Sequence, residues 1–377
     1  MSLKQRSAYE EGMPVKHRYY FGKIQVMKKV FKYQKDRAIC TLYLFGMPVW
    51  RSLAKPEDID KVFRAGGGLL SYQEMFLDCG DFTQRDIAKA LVEDENIESK
   101  LKALCQGLDA QSIAQINTMV VRLRKAYFLK KKKCFDLTKE EIEEFEKIKT
   151  EFFPNIVKVG NAYFYQGYFL PKNAFEVSVM WHKHSLDKIE NWEHIRKKSI
   201  IDVGGFVGDS ALVLQEYTDD KIYCFEALQE NYNTILKTIE LNRSTKIIPV
   251  KKALGAQKGV ANITINGSAS SMQFTANECE SEAVEIITLD EFVAQNNIQV
   301  GFIKVDIEGF EMEFLKGALQ TIKTQKPAML LSIYHQASDF FGIKPFIESL
   351  DLGYKFKVHK PIDHSVSVET ALFCEVR

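Results

Sequence analysis

The chain has 377 residues, 46% of them hydrophobic, which is enough for a large core and predicts two or three domains. Lys and Arg total 51 against 50 Asp and Glu, and this near-neutral balance argues against a dedicated nucleic-acid binder. No apolar run reaches the ~20 residues of a transmembrane helix, and the first residues lack the apolar stretch of a signal peptide. Seven scattered cysteines without a C-x-x-C pair indicate a reducing compartment. We therefore expect a cytoplasmic protein.

Residues 1–153 are predicted to be an accessory region, mainly helical with short strands at its start. Aromatic-rich segments within 18–50 are typical of strands. Spacings of three and four between apolar residues predict helices over 84–107, 110–131 and 138–152, the last opened by a capping box of Thr138 and Glu141. The lysine run Lys130–Lys133 is either a solvated helix end or a weak contact for an anionic membrane surface.

Residues 154–377 have the rhythm of a second, α/β domain. After a predicted hairpin over 161–171, apolar strand-like runs alternate with helical patterns. The runs are 199–203, 221–225, 245–250, 283–287, 301–306 and 327–334. Such alternation predicts a doubly wound, largely parallel sheet covered by helices.

The stretch "SIIDVGGFVGDSALVLQEY", residues 199–217, predicts a strand, a glycine turn and a helix. A turn of this kind presents backbone N–H groups to a ligand, although an ordinary tight turn would look similar. The next predicted strand ends at Glu226, where a carboxylate is placed to accept hydrogen bonds from ribose hydroxyls.

The glycine spacing disfavours a dinucleotide. The turn contains Gly204, Gly205 and Gly208, so that Phe206 stands where the G-x-G-x-x-G fingerprint has its second glycine. Asp202 precedes the turn and would repel a phosphate, whereas a cation would be attracted. S-adenosylmethionine, with its ammonium, sulfonium and ribose diol, fits this pattern.

A third signal is "GFIKVDIEGFEMEFLKGA", residues 301–318, in which a predicted strand ends at Asp306 and Glu308. The carboxyl ends of parallel strands border the ligand crevice, so both carboxylates are expected beside the reacting methyl group. Alternatively, Asp306 pairs with Lys304 and Glu308 caps the next helix. The two carboxylates could hold Mg²⁺, but no third ligand is evident and we expect no metal.

Three blocks, residues 200–214, 221–243 and 302–335, with a weaker one at "NGSASSM" (residues 266–272), resemble the FkbM-type S-adenosylmethionine-dependent methyltransferases. The resemblance implies a seven-stranded sheet with six parallel strands and one antiparallel strand. It implies cofactor contacts from the glycine turn and several later residues, and catalytic roles for two residues near the methyl group. The cofactor set is Asp202, Gly204, Gly205, Gly208, Glu226, Ser270, Ser271, Asp306 and Glu308, and the catalytic pair is Asp306 and His335.

One departure concerns His335. The commoner family form has an acidic residue two positions before this histidine, where the present chain has Ile333. The support of His335 is therefore expected to differ.

The sequence thus predicts an O-methyltransferase acting on a hydroxyl of a sugar, glycan or other small polyol-like acceptor. Asp306 or His335 would accept the hydroxyl proton. The alternatives are a non-catalytic ligand-binding or assembly protein on the same fold, a nicotinamide-dependent oxidoreductase and a nucleic-acid methyltransferase. The sequence is compatible with a homo-oligomer and names no acceptor.

Overall fold

The computed structural model describes residues 75–264 and 281–376 and, within the first 53 residues, the backbone of five strands. The chain divides into two compact units, residues 1–76 and 77–377. In the first unit, strands β1–β5 pair in sequence order as an antiparallel sheet. They are Lys4–Ala8, Val15–Phe21, Ile24–Gln34, Arg37–Leu44 and Met47–Leu53. The predicted short strands near the start of the chain are confirmed.

The second unit begins with the predicted helical region. Its helices are α1 (Phe82–Glu93), α2 (Ile97–Cys105), α3 (Ala110–Leu129) and α4 (Lys139–Lys147), followed by a π-helix over Ile148–Phe152. A single helix over 84–107 was the wrong prediction, because the Asp94 carboxylate accepts the Asn96 N–H at 2.8 Å and stabilises a turn between α1 and α2. The predicted capping box of Thr138 and Glu141 opens α4.

Helices α1 and α3 are hydrogen-bonded to the C-terminal part of the chain. The buried Gln84 side chain accepts the backbone N–H groups of Val366 and Ser367 at 2.9 and 3.1 Å. The Ser112 hydroxyl accepts the Val358 N–H at 2.9 Å. These helices therefore belong to the same compact unit as the sheet described below, and the domain boundary between residues 153 and 154 stays a prediction.

Two short strands accompany the helices: β6 (Leu77–Asp78) precedes α1 and pairs with β7 (Lys133–Cys134), which lies between α3 and α4. Further short elements follow the helical region. Strands β8–β10 form a small antiparallel sheet that contains the predicted hairpin. This sheet and the elements after it are β8 (Val157–Val159), β9 (Ala162–Tyr165), β10 (Tyr168–Leu170), a π-helix Val177–Trp181, a 3₁₀ segment Lys183–Lys188 and α5 (Trp192–Ile195).

The main sheet has seven strands in the order β13-β12-β11-β17-β18-β20-β19. Strand β20 runs antiparallel to its two neighbours and the other six strands are parallel, as the resemblance implies. The strands are β11 (Ser199–Val203), β12 (Ile222–Phe225), β13 (Ile247–Val250), β17 (Val300–Val305), β18 (Ala328–Ser332), β19 (Tyr354–His359) and β20 (Ala371–Val376).

One predicted strand lies elsewhere. The run 283–287 belongs to β16, which pairs with β14 and β15 in a separate three-stranded sheet. Four of its seven residues are buried or half-buried and the others are exposed, whereas every residue of β11, β17 and β18 is buried. These separate strands are β14 (Ala253–Leu254), β15 (Gly259–Thr264) and β16 (Ser281–Ile287).

Helices cover the main sheet, as its strands require. Parallel strands that are buried on both faces read as continuous apolar runs, and β11, β17 and β18 have this character. The covering helices are α6 (Asp209–Leu214), α7 (Gln229–Asn242), α8 (Leu289–Asn296), α9 (Glu311–Gly317), α10 (Leu319–Gln325) and α11 (Ala337–Glu348). Among the residues that the structure describes, no helix combines the length and apolar content needed to cross a membrane.

Candidate active site

A cavity of about 330 Å³ lies at the carboxyl ends of the central strands. Gly204 follows β11, Glu226 follows β12 and Asp306 follows β17, and all three line this cavity. In an open α/β sheet this edge is where ligands bind. The three separate sequence signals therefore meet in one place.

The glycine turn is pressed onto the neighbouring strands. Gly204 has a left-handed backbone (φ +85°), and a Cβ atom added to it would lie 1.8 Å from the Asp306 carbonyl oxygen. A Cβ atom on Gly205 would lie 2.4 Å from the Cys224 sulfur. Gly208, also left-handed, is the residue from which α6 begins. Gly205 and Gly208 do not line the cavity. Gly205 lets the turn pack closely on β12 and Gly208 permits the left-handed backbone, whereas a contact of either glycine with the cofactor stays a prediction.

Glu226 is held with its carboxylate at the cavity wall. One oxygen accepts the Phe206 N–H and the other accepts the Leu228 N–H, each at 2.9 Å. Phe206 has a left-handed backbone (φ +45°) although it is not a glycine. Burial raises the pKa of Glu226 to about 7. The Asn231 side chain and the Ala227 backbone are further hydrogen-bond partners of this carboxylate.

Asp202 lies beneath the cavity and does not line it. Its carboxylate is fully buried and 3.3 Å from the Lys304 ammonium, which also donates to the Gly204 carbonyl at 2.9 Å. Burial alone would lower the pKa of Lys304, but the charges of Asp202 and Asp306 raise it above its usual range. The ion-pair partner of Lys304 is thus Asp202, and a direct cofactor contact of Asp202 stays a prediction.

Asp306 and Glu308 stand together with His335, which also lines the cavity. His335 Nε2 is 3.2 Å from Asp306 Oδ1 and 3.7 Å from Glu308 Oε2. Glu308 has a left-handed backbone (φ +56°). The alternative in which Glu308 caps the next helix is wrong, because Phe310 is the N-cap of α9 and makes no side-chain cap.

Sequence reasoning missed the second partner of His335. Glu311, fully buried at the start of α9, lies 2.9 Å from His335 Nδ1 and accepts the Ile307 N–H at 2.9 Å. Ile333 offers no charge to this histidine, and Glu311 supplies one from another element. The sequence showed that Ile333 is apolar, but it did not tell which residue contacts the ring.

Carboxylates at both ring nitrogens determine the charge of His335. Burial alone would lower the pKa of His335, but the charges of Glu311 and Asp306 raise it well above its ordinary value. Burial alone would raise the pKa of Asp306, but the contact with His335 lowers it to about 2. Both shifts favour an imidazolium beside a carboxylate. The Tyr334 hydroxyl adds contacts of 3.4 Å to Asp306 and 3.2 Å to Glu369.

The described lining of the cavity is rich in acid. Burial raises the pKa of Asp209, Glu226, Glu308 and Glu369 to about 7, so each is partly protonated at neutral pH. An excess of carboxylates in a confined cavity attracts a cationic ligand. The lining carboxyl groups are Asp81, Glu176, Asp209, Glu226, Asp306, Glu308 and Glu369, and the lining bases are His184, Lys252, Lys304 and His335.

Asp306, Glu311 and His335 bring potential metal-ligating atoms within 4.8 Å of one another. Asp306 and Glu311, however, lie 3.2 and 2.9 Å from opposite nitrogens of the ring. One ion cannot lie at both nitrogens. The expectation that the site needs no metal stays a prediction. Ser270 and Ser271 lie outside the described residues.

Residues 202–356 match the family model described as the methyltransferase FkbM domain. The methyltransferase FkbM from Methylobacillus flagellatus KT is similar over 84% of this chain and 66% of its own, with 17% identity and a TM-score of 0.50. The present chain thus spans 66% of that protein's length. The resemblance inferred from the sequence is confirmed.

Two further solved structures are similar over about half of the chain. An rRNA methylase from Streptococcus thermophilus matches 55% of this chain and 100% of its own, with 9% identity and a TM-score of 0.35. The protein SMU.1697c from Streptococcus mutans, solved in complex with SAH, matches 51% and 96%, with 9% identity and a TM-score of 0.34. No curated protein matches the chain.

The close approach of the glycine turn to Asp306 can be tested with a matched pair, Gly204→Ala and Gly353→Ala. Both glycines are left-handed (φ +85° and +82°), but an added Cβ at Gly353 meets nothing within 4 Å. Both variants therefore incur backbone strain of ~1–2 kcal/mol, and only Gly204→Ala adds a clash. We expect Gly204→Ala to lose roughly 1–3 kcal/mol more in urea unfolding. Equal losses would contradict the observed packing of the turn.

Proposed function

We propose that this chain, whose residues 202–356 match the methyltransferase FkbM domain, methylates a hydroxyl group with S-adenosylmethionine as the methyl donor. The acceptor would be a sugar, a glycan or another small polyol-like molecule. The observation that carries the proposal is the acid-rich cavity at the carboxyl ends of β11, β12 and β17. Its charge suits the sulfonium and ammonium groups of this donor.

The residues present fit the donor at both of its ends. Glu226 lines the cavity with its carboxylate at the end of β12, which supports a contact with the ribose hydroxyls. Asp209 and Glu176 add further carboxyl groups to the lining, which supports a contact with the ammonium group. S-adenosylmethionine, when bound, would supply an electrophilic methyl group.

Asp306 is the residue best placed to receive the hydroxyl proton of the acceptor. The hydroxyl oxygen would form the C–O bond while the C–S bond breaks, and the hydroxyl proton becomes strongly acidic as this happens. A carboxylate of low pKa can therefore accept it. Burial lowers the pKa of His335, but the charges of Glu311 and Asp306 raise it well above its ordinary value, which favours a ring that already carries its proton. We therefore propose that His335 holds Asp306 in position and is not itself the base.

The remaining lining groups support a hydroxylated acceptor. Glu176, Glu308 and Glu369 offer carboxyl oxygens, and hydroxyl groups donate to such oxygens. An anionic acceptor would be repelled by the same groups. A cytoplasmic location, a homo-oligomer and a membrane contact through the exposed Lys130–Lys133 stay predictions.

The cofactor proposal is tested with Glu226→Ala and the control Glu230→Ala, whose side chain is 86% exposed and pairs with Lys172. Removing a charged acceptor of ribose hydroxyls costs ~1.5–3 kcal/mol, so affinity for S-adenosylmethionine should fall roughly 10- to 150-fold. The control should bind like the wild type. Calorimetry measures both, with circular dichroism to confirm folding. Wild-type protein that binds NAD and not S-adenosylmethionine would overturn the proposal.

The assignment of the proton is tested with Asp306→Asn, which keeps the shape of the side chain and removes its charge. Turnover should fall by ~10²–10⁴-fold, because a general base typically contributes that much. The control Asp219→Asn changes a carboxylate that is 63% exposed and should leave turnover unchanged.

The assay follows transfer of a labelled methyl group from S-adenosylmethionine to a panel of neutral sugars and sugar alcohols. Near wild-type turnover of Asp306→Asn would show that this residue is not the base. Donor binding without any methylated product would favour the non-catalytic alternative.

A further inference from the structure

Two buried carboxyl groups stand behind His335, and neither lines the cavity. Glu311 begins α9 and is 0% exposed, and Asp339 lies in the first turn of α11 and is 1% exposed. Although both residues lie near the start of a helix, neither side chain reaches solvent. Buried carboxyl groups are costly unless they are paired with charges or hydrogen-bonded. Their presence behind His335 therefore requires a physical explanation.

The first part of the explanation is the contact of Glu311 with the ring. Glu311 Oε1 is 2.9 Å from His335 Nδ1, and the Ile307 N–H donates to the same oxygen at 2.9 Å. Asp306 lies at the other ring nitrogen, at 3.2 Å. A neutral imidazole carries one N–H and can donate to only one of these carboxylates, whereas an imidazolium donates to both.

The second part concerns the oxygen atoms that Glu311 and Asp339 have left over. Glu311 Oε2 and both carboxyl oxygens of Asp339 are buried and make no hydrogen bond of regular geometry. The side chains that interact with the Asp339 carboxyl group are Glu311 and Gln336. If both groups were ionised, two negative charges would be buried side by side. Sharing one proton relieves this, as in other close carboxyl pairs. Burial, together with the charge of Glu311, raises the pKa of Asp339 to about 8.

We propose that Glu311 is a positioning residue, which is bridged to Asp339 by a shared proton and holds His335 as an imidazolium whose Nε2–H orients Asp306. The inference rests on the proposed methyl transfer, in which Asp306 receives the proton of the acceptor. Glu311 contacts neither the cavity nor the reacting atoms. It acts through His335, and it supplies the negative charge that Ile333 does not.

Several charged groups face His335, and each affects its pKa. Asp306 and Glu308 come from the loop after β17, Glu311 from α9, Asp339 from α11 and Glu369 from the segment before β20. Lys304 is the nearby cation, and it interacts with Asp306. Because five carboxyl groups surround one ring, we expect the loss of one charge to shift the pKa of His335 measurably. We do not expect this loss to unfold the protein.

The test is a histidine NMR titration of the ligand-free, full-length chain labelled with ¹⁵N-histidine, in which a His335→Gln variant assigns the ring signals. In the wild type the His335 ring should remain protonated well above pH 6.5. Glu311→Gln keeps an oxygen for Nδ1–H and removes the charge, so the titration midpoint should fall by roughly 1–3 pH units. The control Glu313→Gln removes a charge from the same helix, at a side chain that is 39% exposed and pairs with Lys316, and should leave the midpoint unchanged.

Asp339→Asn tests the shared proton. At pH 7 an amide N–H can replace the proton of Asp339, so the ring should remain an imidazolium. A neutral ring in this variant would show that Asp339 was ionised and would overturn the bridge.

An unchanged midpoint in Glu311→Gln, or a wild-type midpoint near 6.5, would overturn the proposal. If addition of Mg²⁺ or Zn²⁺ moved the ring signals to the positions of a metal-bound histidine, the proposal would also be overturned. The titration needs no donor and no acceptor. A shifted midpoint in a protein that transfers no methyl group would support the inference and contradict the proposed function alone.

Discussion

The buried ion pair of Lys304 and Asp202 is the interaction on which the geometry of the site depends. It joins the adjacent strands β17 and β11 beneath the cavity, where the two residues are 3% and 0% exposed. The same ammonium group donates to the Gly204 carbonyl, and the Asp306 N–H donates to the Val203 carbonyl at 3.0 Å. Removing one partner of a buried pair costs ~3–5 kcal/mol. The glycine turn and the strand end with Asp306 are thereby held in one relative position.

Above this ion pair, the cavity is dominated by carboxyl groups that burial keeps partly protonated. Lys304 and His335 are the buried cations among the described lining residues, and both already face carboxylates. Further negative charge can form only if a cation enters or the groups lose protons at higher pH. A cationic ligand would therefore lower the pKa of groups such as Glu226 and Glu308, so that ligand binding and proton release are linked.

The sequence predicted those features that depend on local pattern. Uninterrupted apolar runs identified the central strands, and the glycine spacing placed the turn next to them. Strand β16 was assigned to the wrong sheet because an apolar run does not tell which neighbour it pairs with. The environment of His335 was beyond prediction for a similar reason. Glu311 reaches it from another element, and no spacing along the chain encodes a contact between the start of α9 and the end of β18. The burial of Asp202 likewise depends on Lys304, which lies on a different strand.

The most direct test of the central claim is calorimetry of S-adenosylmethionine binding at pH 6.5 in two buffers that differ in ionisation enthalpy. If a cation binds among carboxyl groups whose pKa burial has raised to about 7, binding releases protons into the buffer. The observed heat should then differ between the buffers, and the affinity should rise from pH 6 to pH 7.5. Equal heats in the two buffers, with an affinity that does not change over this range, would contradict the account.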